Sequence, residues 1–182
     1  MFEDTIAAIA TPLGEGGIAI IRISGENALS VGDRVFQPIS GNTNHLENAK
    51  SHTIHYGYIS LNNQRLDEVM VSVMRAPATF TREDIIEINC HGGMQATKTV
   101  LDAVLKSGAR LAIPGELTKR AFLHGRIDLT QAEAVADIIH ARTNLALSAA
   151  NEQLAGKLSE RINQLRDDTM HVLAHVEAHI DF

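Results

Sequence analysis

Residues 115–139 read GELTKRAFLHGRIDLTQAEAVADII, and they separate two kinds of sequence. Before them, short apolar runs alternate with turn signals; after them, only helical periodicity appears up to Phe182. Within the stretch we predict a short helix over about 117–123, a stop at Gly125 and a new helix after Asp128. The Asp128 carboxylate can accept first-turn N–H groups, and Gln131 can reach back to complete a capping box. The stretch therefore predicts a junction between two domains.

The part before the junction has the pattern of an α+β domain. Its strands are predicted from β-branched content and alternation, and its helices from apolar spacing. The fold class we predict is a mixed sheet with two helices over residues 1–117, followed by an all-α segment over residues 118–182. Ser24 is predicted to cap the first helix, and 37–51 to form a loop. The expected strands are 6–10, 18–24, 53–61, 66–75, 85–90 and 109–113, with a hairpin turn at 62–64, and the expected helices are about 24–35 and 94–107.

The part after the junction repeats apolar residues every three to four positions. We predict one helix from Leu129 to Ile139, a cap at Thr143, and then one continuous apolar stripe from Leu147 to Ile180. A helix of over thirty residues would be a rod of roughly 50 Å. Because such a rod cannot bury its stripe on itself, we expect partner helices later in a longer protein or in another subunit. The missing stop signal at the end of the chain favours a truncated piece.

Composition limits the classes of protein to which the chain can belong. The 182 residues are 45% hydrophobic, which supports a real core, and the formal net charge of −6 does not indicate a broadly basic nucleic-acid surface. One cysteine, Cys90, excludes an internal disulfide and favours a cytoplasmic location. No run approaches the roughly 20 apolar residues of a membrane span, so we expect no membrane association.

Two charges interrupt otherwise apolar strands, Arg22 in IAIIRIS and Glu87 in IIEINC. A charge directed into a core costs several kcal/mol unless it is paired. Each can lie on a solvent-exposed face, or the two can pair with each other. Alternatively they hold a polar ligand, since a carboxylate suits the paired N–H groups of an amino-pyrimidinone and an arginine suits a carbonyl or carboxylate. A basic cluster at the junction, Lys119, Arg120 and Arg126, would border such a pocket.

Three further patterns give weaker signals. Gly92 and Gly93 follow His91 at a strand-to-helix turn, where they can serve anion binding or close packing. The phosphate-binding loop G-x-x-x-x-G-K-[ST] is absent from the chain, because Leu158 follows Gly156-Lys157 and Asn151 replaces the first glycine. No catalytic acid, base or nucleophile is assigned. His171, His175 and His179 share one helix face, but no cysteine or carboxylate pair completes a metal site, so we predict none.

Three motifs together resemble the bacterial tRNA-modification GTPase family MnmE, also called TrmE. They are DTIAAIATPLGEGGIAIIRISG at 4–25, EDIIEINCHGG at 83–93, and PGELTKRAFLHGRIDLTQAEAVADII at 114–139. The resemblance covers the whole chain. It implies a folate-binding N-terminal domain similar to that of an aminomethyltransferase, followed by the first part of a helical domain. It also implies a later GTPase domain using GTP, Mg²⁺ and K⁺, so we expect no catalysis from this segment by itself.

The resemblance carries expectations about activity, partners and site residues. Family members form homodimers and act on tRNA with the flavoenzyme MnmG (GidA), building an aminomethyl or carboxymethylaminomethyl group at C5 of the wobble uridine. The N-terminal domain binds 5-formyltetrahydrofolate or 5,10-methylenetetrahydrofolate as the one-carbon donor. The matching folate contacts are Arg22, Glu87 and Arg126. Glu87 would hold the amino and ring N–H groups of the pterin, and the two arginines would hold carbonyl, formyl or glutamate oxygens.

The sequence departs from the family pattern at four positions. Arg126 stands where lysine is frequent, Glu15 replaces a loop cation, Arg82 stands where glycine is common, and Leu117 replaces a usual phenylalanine. These changes affect loop charge and affinity more than the fold. Two other functions stay open at this point, a stand-alone folate-dependent one-carbon transferase and a ligand-free helical scaffold.

Overall fold

The computed structural model describes residues 4–39 and 46–180. It divides into two compact units, Met1–His124 and Gly125–Phe182. This division lies later than the boundary at 117/118 that the sequence suggested. The helix that follows Gly115 belongs to the first unit, because its buried side chains contact residues from the beginning and the middle of that unit.

The first unit is built on a seven-stranded sheet with the strand order β3-β4-β5-β6-β2-β1-β7. Strands β1 and β7 are parallel, whereas all other neighbours are antiparallel, so the predicted mixed sheet is confirmed. A single 3₁₀ turn occupies Leu46–Asn48. The elements in chain order are β1 Ile6–Ile9, β2 Ile18–Ser24, α1 Ala28–Val35, β3 Phe36–Pro38, β4 Thr53–Leu61, β5 Gln64–Met74, β6 Ile85–His91, α2 Met94–Lys106, β7 Arg110–Leu111 and α3 Glu116–Leu123.

The two faces of the sheet differ in burial. Helices α1 and α2 pack on the face that carries Ile21, Ile23 and Ile86, all of them fully buried. Strand β2 alternates as the sequence predicts, so Arg22 lies on the opposite face. That face leaves several large apolar side chains exposed, namely Ile18, Ile54, Tyr56 and Met70. We call it the open face.

The predicted hairpin is confirmed. Asn62 and Asn63 have φ of 51° and 64°, the left-handed values of a two-residue type I′ turn, which asparagine tolerates well. Strand β5 therefore begins at Gln64, a residue that the sequence analysis placed in the turn.

The beginning of α1 corrects one expectation. Its N-cap is Asn27, without a side-chain cap bond, and Ser24 is the last residue of β2. The Ser24 hydroxyl instead donates to Glu83 Oε2 over 2.7 Å and lies 2.7 Å from Thr81 Oγ1. The strand predicted at 109–113 is shorter than expected. The loop predicted at 37–51 contains the end of β3 and the 3₁₀ turn, and its residues 40–45 lie outside the described residues.

The second unit consists of three helices, α4 Leu129–His140, α5 Asn144–Leu154 and α6 Lys157–Ile180. The capping box at the start of α4 is confirmed, because Asp128 accepts from the Gln131 N–H and the Gln131 side chain accepts from the Asp128 N–H. Thr143 caps α5, also as predicted.

The prediction of one continuous helix from Leu147 to Ile180 is wrong. Gly156 has φ of +90°, a value that ends α5 and separates it from α6. Helix α6 is fully described as far as Ile180, and none of its residues is buried. Among the described residues, no helix is long and apolar enough to cross a membrane.

Candidate functional site

Arg22 and Glu87 lie directly opposite each other on neighbouring antiparallel strands, β2 and β6. Arg22 Nε is 2.7 Å and Nη2 is 2.5 Å from the same carboxylate oxygen, Glu87 Oε1. The two side chains are 29% and 21% exposed, so the pair is partly covered but reachable from solvent. The structure therefore realises one of the sequence alternatives, the mutual pairing of these charges.

This pairing leaves polar atoms available. Both arginine contacts converge on Oε1, and no described residue forms a hydrogen bond to Glu87 Oε2 or from Arg22 Nη1. The pair thus offers one acceptor and one donor side by side on the open face. The cross-strand neighbours that flank it are small, Ala8 beside Arg22 and Ser72 beside Glu87. A flat ligand with an N–H group and a carbonyl on one edge can bond to both atoms without meeting a bulky neighbour there.

The third predicted site residue, Arg126, lies in the second compact unit, shortly before the helix cap Asp128. The structure brings Arg22 and Glu87 together, but it places Arg126 in a different unit. A shared role for Arg126 stays a prediction.

Not all of the basic cluster proposed at the junction lies on the surface. Arg120 is fully buried inside the first unit, where its guanidinium donates to the carboxylates of Asp4, Glu83 and Glu116 and to the Asp4 carbonyl. These donor–acceptor distances are 2.7 to 3.3 Å. Arg120 is therefore a structural cation that anchors α3, and the sequence analysis was wrong to group it with ligand-facing residues.

A second arginine completes this charge network. Arg110 contacts both Glu116 and Asp4, with Nη2–Oε1 at 2.6 Å and Nη2–Oδ2 at 2.5 Å. The bond from Arg110, together with the Ile113 N–H, lowers the pKa of Glu116 to about 2 despite its burial. The pKa of Asp4 is also lowered, first by its bond to Arg110. The network was not predicted, because Asp4 and Glu83 lie 116 and 37 positions from Arg120 in the chain.

His91, at the end of β6, forms a pair with Asp67 of β5. The ring Nδ1 lies 2.6 Å from Asp67 Oδ1, and the His91 backbone N–H donates to Oδ2 over 2.8 Å. This bond raises the pKa of His91 above its ordinary value. His91 also lines a cavity of about 330 Å³ that opens on the same sheet face as the Arg22–Glu87 pair. The sequence indicated only a glycine turn after His91.

One of the two glycines after His91, Gly92, is required for close packing. A Cβ on Gly92 would collide with the backbone of Gly16, whereas Gly93 has open space and a φ of +109°. Cys90 is buried, and its burial raises the pKa of the thiol to about 11, so it is a core residue and not a thiolate. Among the described residues, no group of three or more candidate ligands for a metal ion occurs, including the histidines of α6.

Comparison with known proteins gives matches along nearly the whole chain. Residues 5–126 match the family described as the GTP-binding protein TrmE N-terminus, and residues 129–182 match the MnmE helical domain. Similar relatives include the tRNA modification GTPase MnmE of Bacillus velezensis, 56% identical, and that of Geobacillus kaustophilus, 57% identical. Each alignment covers 98% of this chain but only 39% of the relative. The chain thus spans about two fifths of the length of these relatives, and it belongs to the TrmE/MnmE family.

Proposed function

We propose that this chain is the N-terminal portion of a tRNA-modifying GTPase and that its first unit holds a reduced folate at Arg22 and Glu87. The ligand is 5-formyltetrahydrofolate or 5,10-methylenetetrahydrofolate. The printed names of the relatives support the tRNA-modification context. The observation that carries the ligand proposal is the one-sided ion pair, which leaves an acceptor and a donor exposed next to each other.

The chemistry of the pair fits the pterin edge. Glu87 Oε2 accepts from the pterin amino group or ring N–H, while Arg22 Nη1 donates to the adjacent carbonyl. Because Arg22 already balances the charge of Glu87, the pair can bind a ligand edge that carries no net charge. Arg126 is the third proposed contact, to formyl or glutamate oxygens.

This segment acts as the holder of the one-carbon donor. The complete protein hydrolyses GTP with Mg²⁺ and K⁺, and with the flavoenzyme MnmG it modifies C5 of the wobble uridine in tRNA. The first unit also mediates homodimerisation. The exposed apolar side chains of the open face, such as Ile54 at 69% and Tyr56 at 49% exposure, support this role because a partner would remove them from water.

Calorimetric titration with 5-formyltetrahydrofolate tests the ligand assignment. The wild-type chain is expected to bind, and Glu87→Ala is expected to weaken binding at least tenfold, because a charge-assisted hydrogen bond contributes about 1.5–3 kcal/mol. Glu133→Ala is the matched control, since Glu133 is an exposed carboxylate of α4. Unchanged affinity in Glu87→Ala, or equal losses in both variants, would refute the assignment.

Absence of binding by the wild-type chain would favour a ligand-free scaffold. Light scattering of residues 1–124 tests dimerisation separately, and a strict monomer at high concentration would contradict it.

A further inference from the structure

Ser24 is an exception to the burial pattern of β2. It lies on the same side of the strand as Arg22, two residues earlier, because side chains alternate along a strand. The Arg22 side chain is 29% exposed, whereas Ser24 is completely buried. The cross-strand partners of Ser24, Ile6 of β1 and Ile85 of β6, are buried as well. The open face is therefore closed at this end, and the closed part begins next to the Arg22–Glu87 pair.

A chain of directed hydrogen bonds fixes the Ser24 side chain. An ionised carboxylate only accepts, so the Ser24 hydroxyl donates to Glu83 Oε2, over 2.7 Å. The Thr81 hydroxyl, 2.7 Å from Ser24 Oγ, is then the donor of the bond between the two hydroxyls. Glu83 also accepts from Arg120 Nη1, over 3.0 Å. We call these four residues the Ser24 network.

Arg120 connects the same ends of three neighbouring strands. Strands β1, β2 and β6 are adjacent and antiparallel, so the start of β1, the end of β2 and the start of β6 lie together. Arg120 Nη1 donates to the carbonyl of Asp4, two residues before β1, and to Glu83, two residues before β6. Through Glu83 it also reaches Ser24, the last residue of β2. The Ser24 network therefore opposes a shift of these strands relative to one another at this end.

The geometry of the Arg22–Glu87 pair depends on how β2 and β6 lie against each other. An arginine and a carboxylate frequently pair through two parallel bonds, one nitrogen to each oxygen, and this form is the stronger one. Here Nε and Nη2 of Arg22 both contact Oε1, at 2.7 and 2.5 Å. The ladder step between Ser24 and Ile85 is two residues, about 7 Å, from the pair. A restraint at Ser24 therefore acts on the strand segments that carry the pair.

We propose that the Ser24 network positions the Arg22–Glu87 pair for its ligand. The inference rests on the proposed function. With the network intact, both arginine nitrogens stay on Oε1, and Glu87 Oε2 remains available to the amino group or ring N–H of the pterin. Without the Ser24 hydroxyl, β2 and β6 adjust at this end, the pair closes into its two-oxygen form, and the ligand competes with Arg22 for Oε2. Because Ser24 is buried, it acts on the ligand only through the pair and is a positioning residue.

The test compares the removal of two buried hydroxyl groups. Ser24→Ala removes the donor to Glu83, but the backbone bond from the Gly25 N–H to the Asp84 carbonyl still ties the two strands beyond it, so the first unit is expected to stay folded. Ser60→Ala is the matched control, because Ser60 is buried on β4, and two strands separate β4 from β2 in the sheet. Circular dichroism and thermal unfolding compare the fold and the stability of the two variants.

Calorimetry with 5-formyltetrahydrofolate and with 6-methyltetrahydropterin measures the effect on the ligand. Ser24→Ala is expected to weaken the binding of both probes about fivefold, the equivalent of one ordinary hydrogen bond, because both carry the pterin edge. Ser60→Ala is expected to leave both affinities unchanged. Thr81→Val should weaken binding in the same way as Ser24→Ala, whereas Thr81→Ser, which keeps the hydroxyl, should bind like the wild type.

The NMR signal of the Arg22 Nε–H group reports on the pair without a ligand. It is expected to shift in Ser24→Ala and not in Ser60→Ala, a difference that a loss of stability alone would not produce in a fully folded chain. If the wild type binds the probes, but Ser24→Ala leaves either the affinities or the Arg22 signal unchanged, or Ser60→Ala weakens binding equally, the positioning is refuted while the folate site stands. If the wild type binds neither probe, the proposed function fails, and an Arg22 signal unaffected by Ser24→Ala would refute the positioning as well.

Discussion

Arg120 Nη1 and Glu83 Oε1 lie 3.0 Å apart inside the first unit, and this pair joins α3 to the segment that precedes β6. The arginine is fully buried and Glu83 is only 10% exposed. Glu83 also accepts from the hydroxyl of Ser24, so the same carboxylate links α3, the end of β2 and the β5–β6 connection. These ionic contacts therefore tie α3 to two other parts of the first unit.

Removal of Arg120 should strongly destabilise the first unit. Arg120→Met leaves Glu83 without its cation, whereas Glu116 keeps Arg110, and the loss of one partner of a buried pair costs about 3–5 kcal/mol. Denaturant unfolding followed by circular dichroism measures the change in the free energy of unfolding. Lys119→Met, at the neighbouring and less buried position, is the control and should change it by less than about 0.5 kcal/mol. A small effect of Arg120→Met would show that the network contributes little.

Glu116 should make the stability of the first unit sensitive to acid. Its pKa in the folded chain is about 2, against 4.5 for the ordinary carboxyl, so the folded state favours the ionised form. The resulting stabilisation is present above about pH 4.5 and is lost as the pH falls towards 2. Unfolding measured from pH 6 to pH 2 should show this loss, and Glu116→Gln should flatten the profile below pH 4.5. An unchanged profile in the variant would contradict the assignment.

His91 should titrate at a higher pH than an ordinary histidine. The bond to Asp67 raises its pKa, so its contribution to stability is fully present below about pH 6.5 and is lost as the pH rises through the folded value. NMR titration of the ring signals measures the midpoint. Asp67→Asn should lower that midpoint towards 6.5, whereas Asp137→Asn, on an exposed position of α4, should leave it unchanged.

Asp128 should stabilise the second unit, because it accepts hydrogen bonds from the first turns of two helices. Its carboxylate caps α4 and also accepts from the Ser159 hydroxyl of α6 over 2.5 Å. Asp128→Ala should destabilise the unit by about 1–2 kcal/mol, the usual cost of a lost N-cap. Asp128→Asn, which keeps a capping oxygen, should recover most of that loss in thermal unfolding. Equal losses in the two variants would mean that capping is not the cause.

Local signals in the sequence predicted local structure well. The Asp128–Gln131 capping box, the Thr143 cap and strand β2 were predicted from residues within one or two turns of each other, and all three are confirmed. The break at Gly156 was missed because the apolar stripe continues on both sides of it. Gly156 itself was the available signal, because glycine is common where a helix ends.

The candidate site was only partly predictable. A solvent-exposed face for Arg22 and its pairing with Glu87 were both among the open alternatives. The register that sets the two side chains directly opposite each other depends on contacts between strands that are distant in the chain. For the same reason the burial of Arg120 and the His91–Asp67 pair were not predicted, since each involves partners that are distant in the chain and meet only in the folded structure.

The convergence of both Arg22 nitrogens on one oxygen of Glu87 has a consequence for the way in which the proposed folate would be held. The two charges cancel each other, so the pair would attract the proposed ligand by directed hydrogen bonds and not by a net electrostatic field. Ionic strength should therefore alter the affinity for an uncharged pterin very little, because Debye screening acts on net charges.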